Sequence, residues 1–236
     1  MGCLNEIVST LFYNQEEVRV QIVRVARAAG EDAPLFRILV SPESGIKSPE
    51  ELKGVEIGIS EGTVIEYVTD RILQGEGFNA DEIAKIPVPK IPDRLALLGS
   101  SEIDAAVLPD PLSSLAVANG ASVVIDDSSY PQYSLSVLSF RVEVLEAHPE
   151  AVRGFLAAVE EAVERINEEP TRYSGLLSEK ELVPPPVLGE YRLHPFPPAS
   201  VPSREQWQDA LSWAQEKGLL SGDVPYSGSV NSSFLP

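Results

Sequence analysis

The stretch "GISEGTVIEYVTDRIL", Gly58 to Leu73, decides the fold. With Val55 and Glu56 ahead of it, "VEIGIS" has the pattern of a strand, and Thr63 to Gln74 has helical periodicity. Between them stand the letters G-x-S-x-G, at positions 58 to 62. Two structures use that spacing. In a nucleophile elbow the serine sits on a sharp turn between strand and helix. Alternatively, the strand feeds a helix whose unpaired N–H groups cradle a ligand. Either way the local unit is strand, tight turn, helix.

Outward from this unit the rhythm continues. "EIAKIPV", "IDAAVLP" and "SVVID" read as strands, with helices over Pro92–Leu98 and Leu112–Ala118. Strands alternating with helices of about ten residues predict βαβ units and a mostly parallel sheet with right-handed crossovers. "AAVL" and "VVI" are continuous apolar runs, expected of strands covered on both faces. Upstream, "LNEIVSTLFYN" puts Leu4, Ile7, Val8, Leu11 and Phe12 on one helical face. "VRVQIVRVA" alternates like a strand with one buried side, Val18 to Ala26, and "LFRILVS" is a second strand, Leu35 to Ser41. "SGIKSPEELKG" is a loop and short helix, with Ser48 as cap and Gly54 as stop. Downstream, "YPQYSLSVLSF" is extended. "HPEAVRGFLAAVEEAVERINEEP" is an amphipathic helix with Val152, Phe155, Leu156, Val159 and Val163 as its stripe. A proline-rich span, Pro184 to Pro202, precedes a helix capped by Ser203 and stopped at Gly218.

The chain has 236 residues, of which 43% are hydrophobic, enough for one large core or two lobes. There are 36 acidic residues against 18 basic ones, a net charge of -18, so long-range repulsion disfavours nucleic acid and anionic membranes as partners while leaving room for a local cationic pocket. Cys3 is the only cysteine, and His148 and His194 are far apart, so no disulfide, thiolate cluster or histidine metal site is expected. No apolar run approaches the roughly 18 residues of a membrane-spanning helix, and no signal peptide is read at Met1.

"SGIKSPEELKGVEIGISEGT", "EIDAAVLPDP", "HPEAVRGFLAAVEEAVERINEEP" and the closing "WAQEKGLLSGDVPYSGSVNSSFLP" together resemble the solute-binding proteins of ABC importers. The group in question binds nitrate, alkylsulfonates, taurine and thiamine pyrimidine precursors. The resemblance implies an α/β, two-lobed periplasmic-binding-protein-like fold of the second type, with two crossover strands and the ligand in the cleft. It implies residues 1–40 as the first part of lobe one, 41–133 as lobe two and 134–236 as the remainder of lobe one. Family members begin with further strands and helices, so lobe one is expected to be incomplete at its N-terminus, with self-association as one outcome.

The candidate ligand residues follow from both readings. "SEGT" supplies Ser60, Glu61, Gly62 and Thr63 at the carboxyl end of a strand, where the crevice of such a sheet lies. Gly62 gives the backbone room, Ser60 and Thr63 add hydroxyls, and Glu61 either faces solvent or selects an amine. Thr63 or Ser60 also fits a plain helix cap. Asp110, in "LPDP", is either a carboxylate for an amine or aminopyrimidine or a cap for the next helix. Tyr133 and Ser134 lie at the second crossover, where a tyrosine can stack on a planar ligand or simply pack the hinge. Asn5, at the start of the first helix, and Ser41, just past the first crossover, complete the set. As a nucleophile, Ser60 has only Asp104 or Asp110 with His148 or His194 as formal partners.

The leading expectation is a binding protein that closes on a small solute by a hinge motion and delivers it to an ABC permease and its ATPase, outside the cytoplasm. No cofactor, no metal and no catalysis are expected. The alternatives are an enzyme on the same scaffold, resembling a pyrimidine synthase or a desulfinase, and an effector-binding sensor domain. The cysteine motifs of those enzymes are absent here.

Overall fold

The computed structural model describes residues 2–16 and 19–236. Strand β1 (Gly2–Glu6), helix α1 (Ile7–Gln15) and strand β2 (Val20–Ala28) come first. Then follow β3 (Phe36–Val40), β4 (Ile57–Ile59), α2 (Val64–Gly75), β5 (Lys85–Pro87), α3 (Ile91–Gly99), β6 (Ala105–Pro109), α4 (Leu112–Ala118) and β7 (Ser122–Asp126). The last part holds β8 (Leu135–Arg141), α5 (Val142–Ala147), α6 (Pro149–Glu168), α7 (Ser174–Glu179), α8 (Arg204–Glu216) and α9 (Tyr226–Ser229). The chain divides into two compact units. Unit 1 is Met1–Ala28, Leu135–Arg172 and His194–Pro236, and unit 2 is Ala29–Ser134 and Tyr173–Leu193. The division expected at residue 40 falls earlier because β3 is an interior strand of the unit 2 sheet. Residues 173–193, expected with the first lobe, group with unit 2.

Unit 2 is built on a five-stranded sheet in the order β5-β4-β6-β3-β7. β4 is parallel to β5 and β6, while β3 runs antiparallel to β6 and β7. Four strands therefore share a direction and β3 opposes them, which is the mostly parallel sheet expected, with one reversed strand inside it. Leu39, Leu98, Ala106, Leu108 and Ala116 form its core, backed by Ile91, Leu95 and Ile103. "AAVL" is buried on both faces, as its apolar run implies. "VVI" is not. β7 is the sheet edge and Val123 is exposed, because an edge strand has a neighbour on one side only.

Unit 1 carries a three-stranded antiparallel sheet in the order β1-β8-β2. Its core joins Val23 to Leu145, Val152, Leu156 and Phe234, and Trp207 and Trp213 of α8 are fully buried. Three expectations change here. Residues 2–6 form a strand rather than the start of a helix, because β8 supplies a ladder in register from Gly2–Phe140 to Glu6–Ser136. The strand expected from Val18 is β2, and Val18 itself lies outside the described residues. β2 does not bury a single side: Ile22, Val23, Arg24 and Val25 are all buried, since shifts of register between Ile22 and Arg24 and between Val25 and Arg27 break the alternation. On α6, Val152, Leu156 and Val163 are buried as expected, but Phe155 is exposed. Phe155 lines a surface pocket with Cys3, Leu4, Leu138 and Phe140.

Candidate functional site

β4 delivers the chain to the carboxyl-end rim of the unit 2 sheet. Gly58 within the strand lets Ile103 approach closely: a Cβ there would lie 3.0 Å from Ile103 Cδ1 and would have to displace the tip of that side chain. After Ile59 the backbone turns through Ser60, Glu61 and Gly62, with Gly62 at φ 66°, a left-handed conformation that glycine adopts without steric cost. The Thr63 hydroxyl then caps α2, accepting from Ile65 N and donating to Ser60 O at 2.7 Å.

The turn is braced from beneath by charge. Glu66, in the first turn of α2, accepts from Gly62 N at 2.8 Å through one oxygen and from Lys85 Nζ at 2.8 Å through the other. Lys85 also meets Asp70 at 2.6 Å. Lys85, Glu66 and Asp70 are all largely shielded, so the network fixes α2 to β5 and sets the conformation of the glycine turn. Two of the first amides at α2 are thereby satisfied, Gly62 by Glu66 and Ile65 by Thr63. The amides of Thr63 and Val64 have no acceptor among the described residues and carry the positive end of the helix dipole.

Ser60 is not arranged as a nucleophile. Its hydroxyl donates to Pro89 O at 2.9 Å and accepts from Arg94 Nη1 at 2.9 Å. The proton is committed to a backbone carbonyl, and the neighbouring side chain is a cation, which cannot act as a base. His148, one of the formal partners, stands at the junction of α5 and α6 in unit 1. Arg94 itself has no exposed surface, and burial lowers its pKa to about 10, which leaves it protonated at neutral pH.

The other residues named from sequence are placed as follows. Glu61 is exposed to solvent. Asp110, at the end of β6, is tied within unit 2: one oxygen accepts from Ser114 Oγ at 2.8 Å with Arg37 at 3.7 Å, and the other accepts from the Tyr191 hydroxyl. It does not cap α4 through its side chain. Tyr133 packs edge-on against Tyr67 at 5.9 Å and stacks on Tyr130 at 6.4 Å. Ser134 is buried, and its carbonyl accepts from Ala29 N. Ser41 falls at the opposite end of the sheet. β3 runs antiparallel to β6, so Val40 pairs with Ala105 while Phe36 pairs with Pro109, and Ser41 N reaches Asp104 O. Asn5 lies in β1 of unit 1, not at a helix start, and its amide is used by Thr10 and Ser139. The rim of unit 2 thus joins Ser60 to Thr63 with Arg94, and it carries Asp110, Tyr133 and Ser134.

Two buried groups of that end were not anticipated. Asp127 takes the amides of Leu35 and Phe36 at 2.9 and 3.1 Å, and burial pushes its pKa up to about 6. Arg94 had a signal in the sequence: Ile91, Leu95 and Leu98 mark the apolar face of α3, and Arg94 falls on that same face. Among the described residues no group of three or more His, Cys, Asp and Glu side chains could hold a metal ion.

Comparison with known proteins agrees with the expected fold. The aliphatic sulphonate binding protein SsuA of Escherichia coli is 22% identical, with a TM-score of 0.79 over 96% of this chain and 74% of that one. The alkanesulfonate-binding protein SsuA of Xanthomonas axonopodis pv. citri is 18% identical, with a TM-score of 0.79 over 97% of this chain and 79% of that one. The desulfurization enzyme DSZB is 16% identical, with a TM-score of 0.74 over 98% of this chain and 82% of that one. The last corrects one expectation. Catalysis was excluded from the missing cysteine motifs, yet an enzyme shares this fold, so that exclusion does not hold. No curated protein matches in sequence. The family described as NMT1/THI5 like matches residues 9–173, most of the chain, and with its α/β architecture this protein belongs to that family.

Proposed function

We propose that the chain is the solute-binding component of an ABC-type importer. It takes a small polar solute of the sulfonate, nitrate-like or thiamine-precursor pyrimidine class and hands it to a permease outside the cytoplasm. The observation that carries this reading is the family match over residues 9–173, supported by the likeness to two sulfonate-binding proteins. At the rim, the glycine turn at Gly62 and the open amides of Thr63 and Val64 suit a polar or anionic ligand group. Among the described residues no helix is long and apolar enough to cross a membrane.

The test is thermal denaturation with a panel of alkylsulfonates, nitrate, amines and aminopyrimidines. A solute at a hundred times its Kd adds about 2.7 kcal/mol, a rise of about 5–10 °C for a chain of this size. Failure of every panel member to raise the melting temperature overturns the reading. A second reading, an enzyme acting on a sulfinate, rests on the likeness to DSZB, a mutant of which is solved in complex with biphenyl-2-sulfinic acid. Release of sulfite from an aryl sulfinate, rather than simple stabilisation, would select it.

A further inference from the structure

Arg94 is a fully buried cation with two of its three nitrogens unused. Nη1 holds Ser60 Oγ, while Nε and Nη2 have no partner in the protein. These two are not an arbitrary pair. In a guanidinium, the Nε–H and the nearer Nη2–H point the same way and form the side-on fork that matches two oxygens of one oxoanion. No carboxylate lies within ion-pair distance of Arg94 among the described residues. A buried charge without a counter-ion is costly, and natural interiors pair such groups or neutralise them. The contrast within this chain is direct. Arg24, equally buried, uses Nη1 on Val25 O and both Nε and Nη2 on Glu160.

We propose that the Nε and Nη2 fork of Arg94, steadied by Ser60, is the receptor for a carboxylate or sulfonate group of the solute. The inference rests on the solute-binding reading and sharpens it: the ligand is an oxoanion, not an amine or a neutral pyrimidine. Ser60 Oγ, itself held by its donation to Pro89 O, anchors Nη1 and so restricts the guanidinium before the ligand arrives. With no exposed surface on Arg94, the anion reaches it by an opening of the rim.

The experiment is calorimetric titration of wild type, Arg94→Met and Arg94→Lys with ethanesulfonate, acetate, ethylamine and 4-aminopyrimidine, alongside the melting temperature of each unliganded protein. Wild type should bind one of the two anions, and which one tells sulfonate from carboxylate. Arg94→Met should lose about 10–100-fold in affinity, the loss of a charged hydrogen-bonding pair. Its unliganded melting temperature should equal or exceed that of wild type, since an unpaired buried charge is gone. Arg94→Lys keeps the charge and loses the fork, so it should also bind weakly, and it carries the test if Arg94→Met does not fold. Equal anion affinity in wild type and Arg94→Lys overturns the inference. Tight binding of only the amine or the aminopyrimidine also overturns it, while leaving solute binding intact. No binding of any panel member by wild type overturns both.

Discussion

Replacing Glu160 with Gln should be among the most damaging single changes in unit 1. Arg24 spans the unit from β2. Its Nη2 meets Glu160 Oε2 at 2.6 Å and Pro197 O at 3.1 Å, its Nε meets the same carboxylate oxygen at 3.2 Å, and its Nη1 meets Val25 O at 2.6 Å. The other Glu160 oxygen accepts from Ala199 N. The Arg24 side chain is 0% exposed and that of Glu160 19%. The amide of the Glu160→Gln variant would keep one acceptor oxygen for two sets of donors and would leave the guanidinium buried without a counter-charge. Removing one member of a buried pair costs about 3–5 kcal/mol, and the single retained acceptor and the partial exposure of Glu160 point to the lower end, about 3 kcal/mol. Urea denaturation followed by tryptophan fluorescence reads this directly, because Trp207 and Trp213 are buried in the same unit. The loss should persist in high salt, since shielded pairs are screened little. Adding Arg24→Met to Glu160→Gln should cost less than the sum of the two single changes, because the uncompensated charge disappears. A loss below about 1 kcal/mol for Glu160→Gln would refute the idea that the guanidinium depends on its counter-ion.

Asp127 gives a pH dependence of known sign. Its folded pKa, about 6, lies above the ordinary carboxylate value of 3.8, so its contribution is fully present below that value and is lost as pH rises through about 6. The stability of wild type relative to Asp127→Asn should therefore fall by up to about 3 kcal/mol between about pH 4 and about pH 7, and a difference that stays flat or grows contradicts the assignment. Gly62→Ala places a Cβ at φ 66°, which should destabilise by about 1–2 kcal/mol. An unchanged melting temperature for Gly62→Ala would mean that the turn relaxes freely despite its brace to Glu66.

Local chemistry made much of unit 2 legible. The bounds of α4 and β7 match those read from the sequence, and α2 begins one residue after its Thr63 cap, because caps, glycine stops and apolar periods are properties of neighbouring residues. What escaped depends on distant partners. Nothing near Gly2–Glu6 announces a strand, since its ladder is completed by residues 136–140. Ser41 was named for lying just past the first crossover, but only the direction of β3 in the sheet tells which end of the sheet it falls at. Asp110 reads as a free carboxylate until Tyr191 is brought to it. Arg94 was missed although its spacing with Ile91, Leu95 and Leu98 carried a signal, since a charge on an apolar helical stripe is one to pursue rather than to assign to solvent.

The threading of the chain sets an order of assembly. It passes between the units at 28/29, 134/135, 172/173 and 193/194, so neither unit is a continuous segment. During synthesis, unit 2 has all of its parts once Leu193 has emerged. Unit 1 has its sheet strands by Arg141 but still lacks what borders β2. Val25 N is paired by Ser200 O, Ile22 O receives Asn231 N, and Asn14 bonds Ser229, all contributed by residues that emerge after Leu193. The tryptophans of α8, which packs against α1, arrive late as well. Contacts between residues some two hundred positions apart close slowly. The nascent chain should thus pass through a stage in which unit 2 is formed while the β2 side of unit 1 is bare, the stage at which a chaperone has the most apolar surface to hold.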